Sequence, residues 1–149
     1  MAAITRSRTV PADQQAVWKV LADFGALSSW VANVGHSAVL VDRGGARVGT
    51  SRRVQVGRDA LVETITDVVD RVTLAYDIEG MPPRLGRLNN RWTLDSAGSD
   101  TVVTVTSTIH VAKGPVAAAT ALVVGRVMAK MADEMLAGLA RRMEDPRDH

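Results

Sequence analysis

The sequence predicts an α+β fold: a curved, seven-stranded antiparallel sheet wrapped around one long C-terminal helix, with two short helices between the first and second strands. Three observations predict it. From Gly114 to about Met143 apolar residues recur at helical spacing, and no proline after Pro115 interrupts them. Residues 36–111 read as six β-rich runs separated by turn signals. Ahead of these, an alternating run over residues 3–10 ends at Pro11 and gives way to helical spacing. Hairpin-length connections imply antiparallel pairing. A sheet and a helix that each carry one apolar face cover one another, and a curved sheet does not touch a straight helix everywhere, so a cavity between them is natural.

The elements follow in order. In residues 3–10, Ile4, Arg6, Arg8 and Val10 alternate with Thr5, Ser7 and Thr9, as in a half-exposed strand. Pro11-Ala12-Asp13 breaks the run, and Asp13 can cap a helix from Gln14 by accepting free N–H groups of its first turn. Val17, Val20 and Leu21 share that helix's apolar face, Gly25 interrupts, and a second short piece runs to Trp30. Strands are expected over residues 36–42, 47–56, 60–69, 72–79, 88–95 and 101–111. Their turns are Arg43-Gly44-Gly45, Gly57-Arg58-Asp59, Asp70-Arg71, the proline-stiffened residues 80–83 and the polar loop 96–100. Pro115 suits the first turn of the closing helix, where a missing N–H costs nothing. At about 100° per residue, Ala117, Ala121, Val124, Met128, Ala132, Met135 and Leu139 fall on one face. Arg126, Lys130, Asp133, Glu134 and Arg141 gather opposite, along a helix of roughly 40 Å. Small residues leave room beside a helix and methionine adapts to varied apolar shapes, so this face is either a core plug or one wall of an apolar pocket.

Composition narrows the function classes. A length of 149 residues suggests one domain, 1–149, with a real core. The absence of Cys excludes disulfides, thiolate metal sites and Cys nucleophiles. Net charge is +2 and the basic residues are scattered, with Arg52-Arg53 and Arg141-Arg142 as the adjacent pairs, so nucleic acid is not an expected partner. No apolar h-region follows the first charge near the N-terminus, and no apolar run reaches the ~18 residues of a membrane span. A cytoplasmic protein without stable membrane insertion is expected. No His/Asp/Glu cluster has metal-ligand spacing, so no metal is expected. Neither a phosphate-cradling Gly-rich loop nor a nucleophile elbow is present, and no cofactor is expected.

Several stretches resemble the START-like, helix-grip superfamily (SRPBCC type). It includes polyketide cyclase/dehydrase-like and lipid-transport proteins, the birch-pollen-allergen relatives and the plant abscisic-acid receptors. Val10-Pro11-Ala12-Asp13 with Ala16-Val17-Trp18 is similar to its strand-end, proline, helix pattern. Leu21-Ala22-Asp23-Phe24 followed by Trp30 is similar to its second signature. Residues 70–76, Asp-Arg-Val-Thr-Leu-Ala-Tyr, match its strand-turn-strand, and Arg91-Trp92-Thr93-Leu94 with Gly98 and Thr101-Val102-Val103 match its last hairpin. The order of elements carries the likeness over nearly the whole chain. It implies the fold and does not imply a function.

Strand alternation groups Leu61, Glu63 and Ile65; Leu74, Tyr76 and Ile78; Asn90 and Trp92; and Thr104, Thr106, Thr108 and His110. The resemblance to the receptors implies that these faces look inward, with Glu63 as a pocket carboxylate, Tyr76 as an aromatic wall, and Asn90, Trp92 and Thr106 as liners. On the helix it implies Val124, Met128 and Ala132. Leu61 and Trp30 complete the expected ligand-binding set, Trp30 as a corner plug or a lid. The loops at 57–59 and 80–85 resemble flaps at the cavity mouth. Where the receptors carry a pocket lysine this chain has Val31, or Ala32 or Asn33, and their gate-loop sequence is absent. An apolar or weakly polar ligand therefore fits better than an acidic hormone.

Three functions remain. The first is binding or transport of a hydrophobic small molecule such as a lipid, isoprenoid, quinone or polyketide. The second is a polyketide aromatase/cyclase or dehydratase, with Glu63 as the candidate acid/base and Tyr76 or His110 as its partner. A carboxylate in an apolar cavity has its pKa raised by desolvation and can act in that way; the alternative for Glu63 is a pair with Arg52 or Arg53 on the neighbouring strand. The third is an interaction module whose flaps, stiffened at Pro82-Pro83, report ligand occupancy to a protein partner.

Overall fold

The computed structural model describes residues 2–80, 87–111 and 114–144. β1 (Ala2–Val10) leads into α1 (Gln14–Ala22) and a short 3-10 segment (Phe24–Ser29). Then come β2 (Val34–Val41), β3 (Ser51–Val56), β4 (Asp59–Val69), β5 (Thr73–Glu79), β6 (Arg87–Ala97), β7 (Asp100–His110) and α2 (Ala117–Glu144). Among the described residues the strands form one curved seven-stranded sheet, order β1-β7-β6-β5-β4-β3-β2, antiparallel throughout. α2 lies against β1 and β7, while the 3-10 segment lies against β2 and β3.

Local chemistry explains most boundaries. Asp13 sits in extended backbone and its carboxylate accepts the Ala16 N–H at 2.8 Å, capping α1. Val56 pairs with Asp59 and Ala97 with Asp100, so Gly57-Arg58 and Gly98-Ser99 are two-residue turns, with Gly57 and Gly98 at φ of 59° and 64°. The polar loop expected over residues 96–100 is thus tighter than anticipated. The strand expected from residue 47 begins instead at Ser51. The Asp42 carboxylate accepts the N–H groups of Gly44 and Gly45 at 2.8 and 3.0 Å, and Thr50 Oγ1 donates to the Gly45 carbonyl at 2.8 Å. These side chains satisfy the backbone locally, so the segment folds as a compact loop rather than a ladder. α2 begins at Ala117, two residues beyond Pro115, after a lead-in turn in which the Ala117 N–H reaches the Gly114 carbonyl.

The core fills the concave side of the sheet. A large cluster joins α1, the 3-10 segment, the middle of β4–β7 and the second half of α2; a small one gathers Leu88, Ile109, Val124 and Met128. Of the helix face expected to be buried, Val124, Met128, Ala132, Met135 and Leu139 are buried, whereas Ala117 and Ala121 are half-buried. α2 passes so close to residue 30 that a Cβ at Gly138 would overlap the Trp30 carbonyl oxygen. By contrast, Leu122, Val123 and Val127 on its first half are exposed, as is Val116 just before it.

Candidate functional site

Between the sheet and α2 lies a cavity of about 140 Å³. Its floor is the concave face of four strands: Val54 and Val56 of β3, Leu61 and Glu63 of β4, Ile78 of β5, and Leu88 and Asn90 of β6. Leu27, Val31 and Val34 close one side, and Val123, Val124, Val127, Met128, Met131 and Met135 of α2 form the roof. Glu63 and Asn90 are the two polar members of this lining. Val123 and Val127 line the cavity and are also 59% and 49% exposed, so the space opens to the surface beside them. Wider depressions elsewhere are open clefts with charged walls, one between α1 and the end of α2, another beside Asp77, Arg87 and His110.

Glu63 stands directly opposite Arg52 in the β3–β4 register, so both side chains fall on the concave face. Arg52 is 3% exposed and Glu63 6%. Arg52 Nε and Nη2 both donate to Glu63 Oε1 at 2.7 Å, and Nη1 donates to the Phe24 carbonyl at 2.9 Å. The guanidinium lies 3.8 Å from the Phe24 ring centre and 4.9 Å from that of Tyr76, a cation–π arrangement on two sides. Phe24 and Tyr76 meet edge to face at 5.7 Å. The Tyr76 hydroxyl then accepts from Asn90 Nδ2 at 3.3 Å and Trp92 Nε1 at 3.2 Å, and Ser107 Oγ donates to Asn90 Oδ1 at 2.6 Å. A polar belt thus crosses the concave face, nearly all of it satisfied within the protein. Burial, and after it the charge of Glu63, pushes the Tyr76 phenol above its usual pKa. Tyr76 therefore stays protonated at neutral pH.

The structure distributes the expected site residues unevenly. Leu61, Glu63, Asn90, Val124 and Met128 line the cavity. Tyr76 and Trp92 are not on its wall: they are packed behind it in the core, 1% and 2% exposed. Trp30 plugs a corner, its ring edge to face with Trp92 at 6.1 Å, and is no lid over this cavity. Ala132 is buried in the large cluster and is not on the cavity wall. Thr106 requires a correction. β7 buries Val103, Val105, Ser107 and Ile109. Thr106 belongs to the opposite, convex face, its hydroxyl 3.4 Å from that of Thr5. Strand side chains alternate with period two, so a one-residue offset moves a whole set from one face to the other. His110 is exposed on that same set and is remote from Glu63 as an acid/base partner. Glu63 meets both descriptions weighed for it, since it pairs with Arg52 and also lines the cavity.

Sequence reasoning passed over several lining residues. Extending the same alternation would have found Val54, Val56 and Leu88, and would have placed Arg52 rather than Arg53 beside Glu63, while Ile78 stands on the inward face on which the alternation put it. No periodic signal marks Leu27 or Val31, which arrive through the irregular backbone after α1. Val31 stands where a pocket lysine was sought, and it is apolar and 1% exposed. The flap expected over residues 80–85 lies outside the described residues except for Gly80. Among the described residues no group of three or more His, Cys, Asp and Glu could hold a metal ion, and no helix is long and apolar enough to cross a membrane.

Comparison with known proteins agrees with this architecture. A protein from Nitrosospira multiformis superposes with a TM-score of 0.76 at 17% identity, over 99% of this chain and 100% of its own. A START superfamily protein from Mycobacterium smegmatis gives 0.75 at 14% identity, covering 95% and 97%. An aromatase/cyclase from a Streptomyces species gives 0.75 at 17% identity, covering 96% and 93%. At such identities these likenesses establish the fold alone. No curated protein sequence matches the chain. The family model described as polyketide cyclase/dehydrase and lipid transport matches residues 1–144, and the chain belongs to that family.

Proposed function

We propose that the protein binds and carries a small hydrophobic molecule in the cavity between sheet and helix. The observation that carries this reading is a void of about 140 Å³ with fourteen apolar residues in a lining of sixteen. Natural cores leave few voids larger than a water molecule. At ~24 cal/mol per Å³, an empty space of this size forgoes roughly 3 kcal/mol of packing. An apolar cavity of about 150 Å³ stays dry and takes up benzene, so a ring or a short alkyl segment fits without rearrangement. A lipid, quinone or polyketide would have to widen the space or leave part of itself at the opening beside Val123 and Val127. The family description, which includes lipid transport, supports the same reading.

Native mass spectrometry of protein purified from its own host, followed by denaturing extraction, tests it. A defined apolar molecule at near-stoichiometric occupancy is the expected result. Val124→Phe, which pushes a ring into the cavity, should abolish that occupancy while the fold is retained. Occupancy unchanged by Val124→Phe would place the ligand elsewhere and end the reading.

A second reading, a cyclase or dehydratase, rests on Glu63 as a carboxylate on the cavity wall. Arg52 stands against it, because its two donated hydrogen bonds already engage Glu63 Oε1 in a buried structural pair. Turnover of a polyketide-type substrate that is lost in Glu63→Gln with binding retained would favour this reading over simple carriage.

A further inference from the structure

The Arg52–Glu63 pair says what kind of polar group the cavity accepts. Both donated bonds from Arg52 end on Glu63 Oε1. A carboxylate offers about four lone-pair sites, and both bonds from Arg52 fall on the same oxygen. Glu63 is on the cavity wall and Arg52 is not. The guanidinium is turned away, bonded to the Phe24 carbonyl and covered by the Phe24 ring. A molecule entering the cavity therefore meets an acceptor carboxylate and, among the described lining residues, no cation.

We propose, resting on the carrier reading above, that the ligand is uncharged and bears one hydrogen-bond donor, a hydroxyl or N–H, on a body the size of a single ring, and that the donor bonds to the Glu63 carboxylate. An acid is disfavoured, because its carboxylate would face Glu63 with no cation among the described lining residues to balance it. A cationic amine is disfavoured too, because Arg52 already balances Glu63 and the described lining holds no second carboxylate. A pure hydrocarbon would fit the volume and desolvate the Glu63 carboxylate without offering it a hydrogen bond, which costs binding. Phenols and small cyclic alcohols are the class that satisfies both walls.

Three probes of nearly equal size test this on the wild-type protein: phenol, toluene and benzoate at neutral pH. Binding is read by the NMR shifts of labelled methionine methyls, since Met128, Met131 and Met135 line the roof. The expected result is phenol at least about tenfold tighter than toluene, the size of one hydrogen bond to a charged acceptor, with no binding of benzoate. The double variant Arg52→Met/Glu63→Met, which removes both charges together, should reverse the order and favour toluene. If wild-type protein takes toluene as tightly as phenol, or takes benzoate, the donor proposal is wrong while the carrier reading stands. If none of the three shifts the methionine methyls, both fall. Should the double variant not fold, the wild-type ranking still decides.

Discussion

Removing Arg52 while leaving Glu63 is the sharpest perturbation of this structure. In Arg52→Met, Glu63, 6% exposed in the wild type, loses both hydrogen bonds that Arg52 donates, and the Phe24 carbonyl loses its own. An uncompensated buried charge costs about 3–5 kcal/mol, more than the two charge-assisted bonds taken singly, because no water replaces them. Glu63→Met, which strands the guanidinium between Phe24 and Tyr76, should cost about the same. Replacing both partners by methionine is different: well-packed apolar substitutes for a buried pair are often neutral, or stabilising by about 1–4 kcal/mol. Urea denaturation of the wild type, both single variants and the double variant closes the cycle. With a slope near 2 kcal/mol per M, each single variant should lower the midpoint by about 2 M, and the double variant should restore it. Two results would refute the reasoning: single variants within about 1 kcal/mol of wild type, or a double variant as unstable as the sum of the singles. The first would mean that water reaches the pair; the second, that Arg52 and Glu63 act independently.

Other expectations are equally direct. Ser107→Ala leaves the buried Asn90 Oδ1 without its donor and should cost about 1–3 kcal/mol, whereas its neighbour Thr106→Ala on the convex face should cost about 0.5 kcal/mol; equal costs in thermal denaturation would reverse the assigned face of β7. Gly138→Ala drives a Cβ into the backbone carbonyl of Trp30, which cannot swing aside, so a loss of about 1–3 kcal/mol or more is expected; an unchanged melting temperature would show that α2 is not held that close. Tyr76 is the chain's only tyrosine, so its phenolate absorbance can be followed without overlap from a second one. Burial raises its pKa, so the folded protein should keep the proton at pH values where the urea-unfolded chain, near the usual value of about 10, releases it. The sign follows: its contribution to stability is complete below about pH 10 and falls as pH rises through the elevated folded value. Titration of the native protein at the unfolded value would show that Tyr76 is reached by solvent.

Much of the architecture could be read from local chemistry. The N-cap at Asp13, the glycines at Gly57 and Gly98 and the helical spacing after Pro115 each dictate a boundary without tertiary help. Boundaries shifted where a side chain substituted for the ladder, as Asp42 and Thr50 do before β3. The site was harder because its residues are chosen by face and depth. Face fails at β7, where Thr104, Thr106 and Thr108 alternate as cleanly as Val103, Val105 and Ser107, and only pairing with β6 decides: Ser107 stands opposite Asn90. Depth fails for Tyr76, Trp92 and Ala132, which share the inward faces but are covered by other side chains before the cavity is reached. No periodicity encodes how far a sheet curls. The Arg52–Glu63 contact was one register step from being legible, since Arg52 shares a face with Val54 and Arg53 does not.

The position of β1 has a consequence for how the chain is made. Consecutive strands from β2 to β7 pair with their neighbours in sequence, but β1 pairs with β7 across roughly 100 residues. Closing so long a loop carries an entropy cost of about 4 kcal/mol. At ~5–20 residues per second, β1 leaves the ribosome about 5–20 s before its partner exists. For that interval it is an unpaired strand in the presence of other nascent chains, the situation in which β segments aggregate. Its composition suits the wait: Thr5, Arg6, Ser7, Arg8 and Thr9 form an uninterrupted polar stretch, with Ile4 and Val10 at its two ends. The strand that closes the sheet is also one that can stay in water until the rest of the sheet is ready for it.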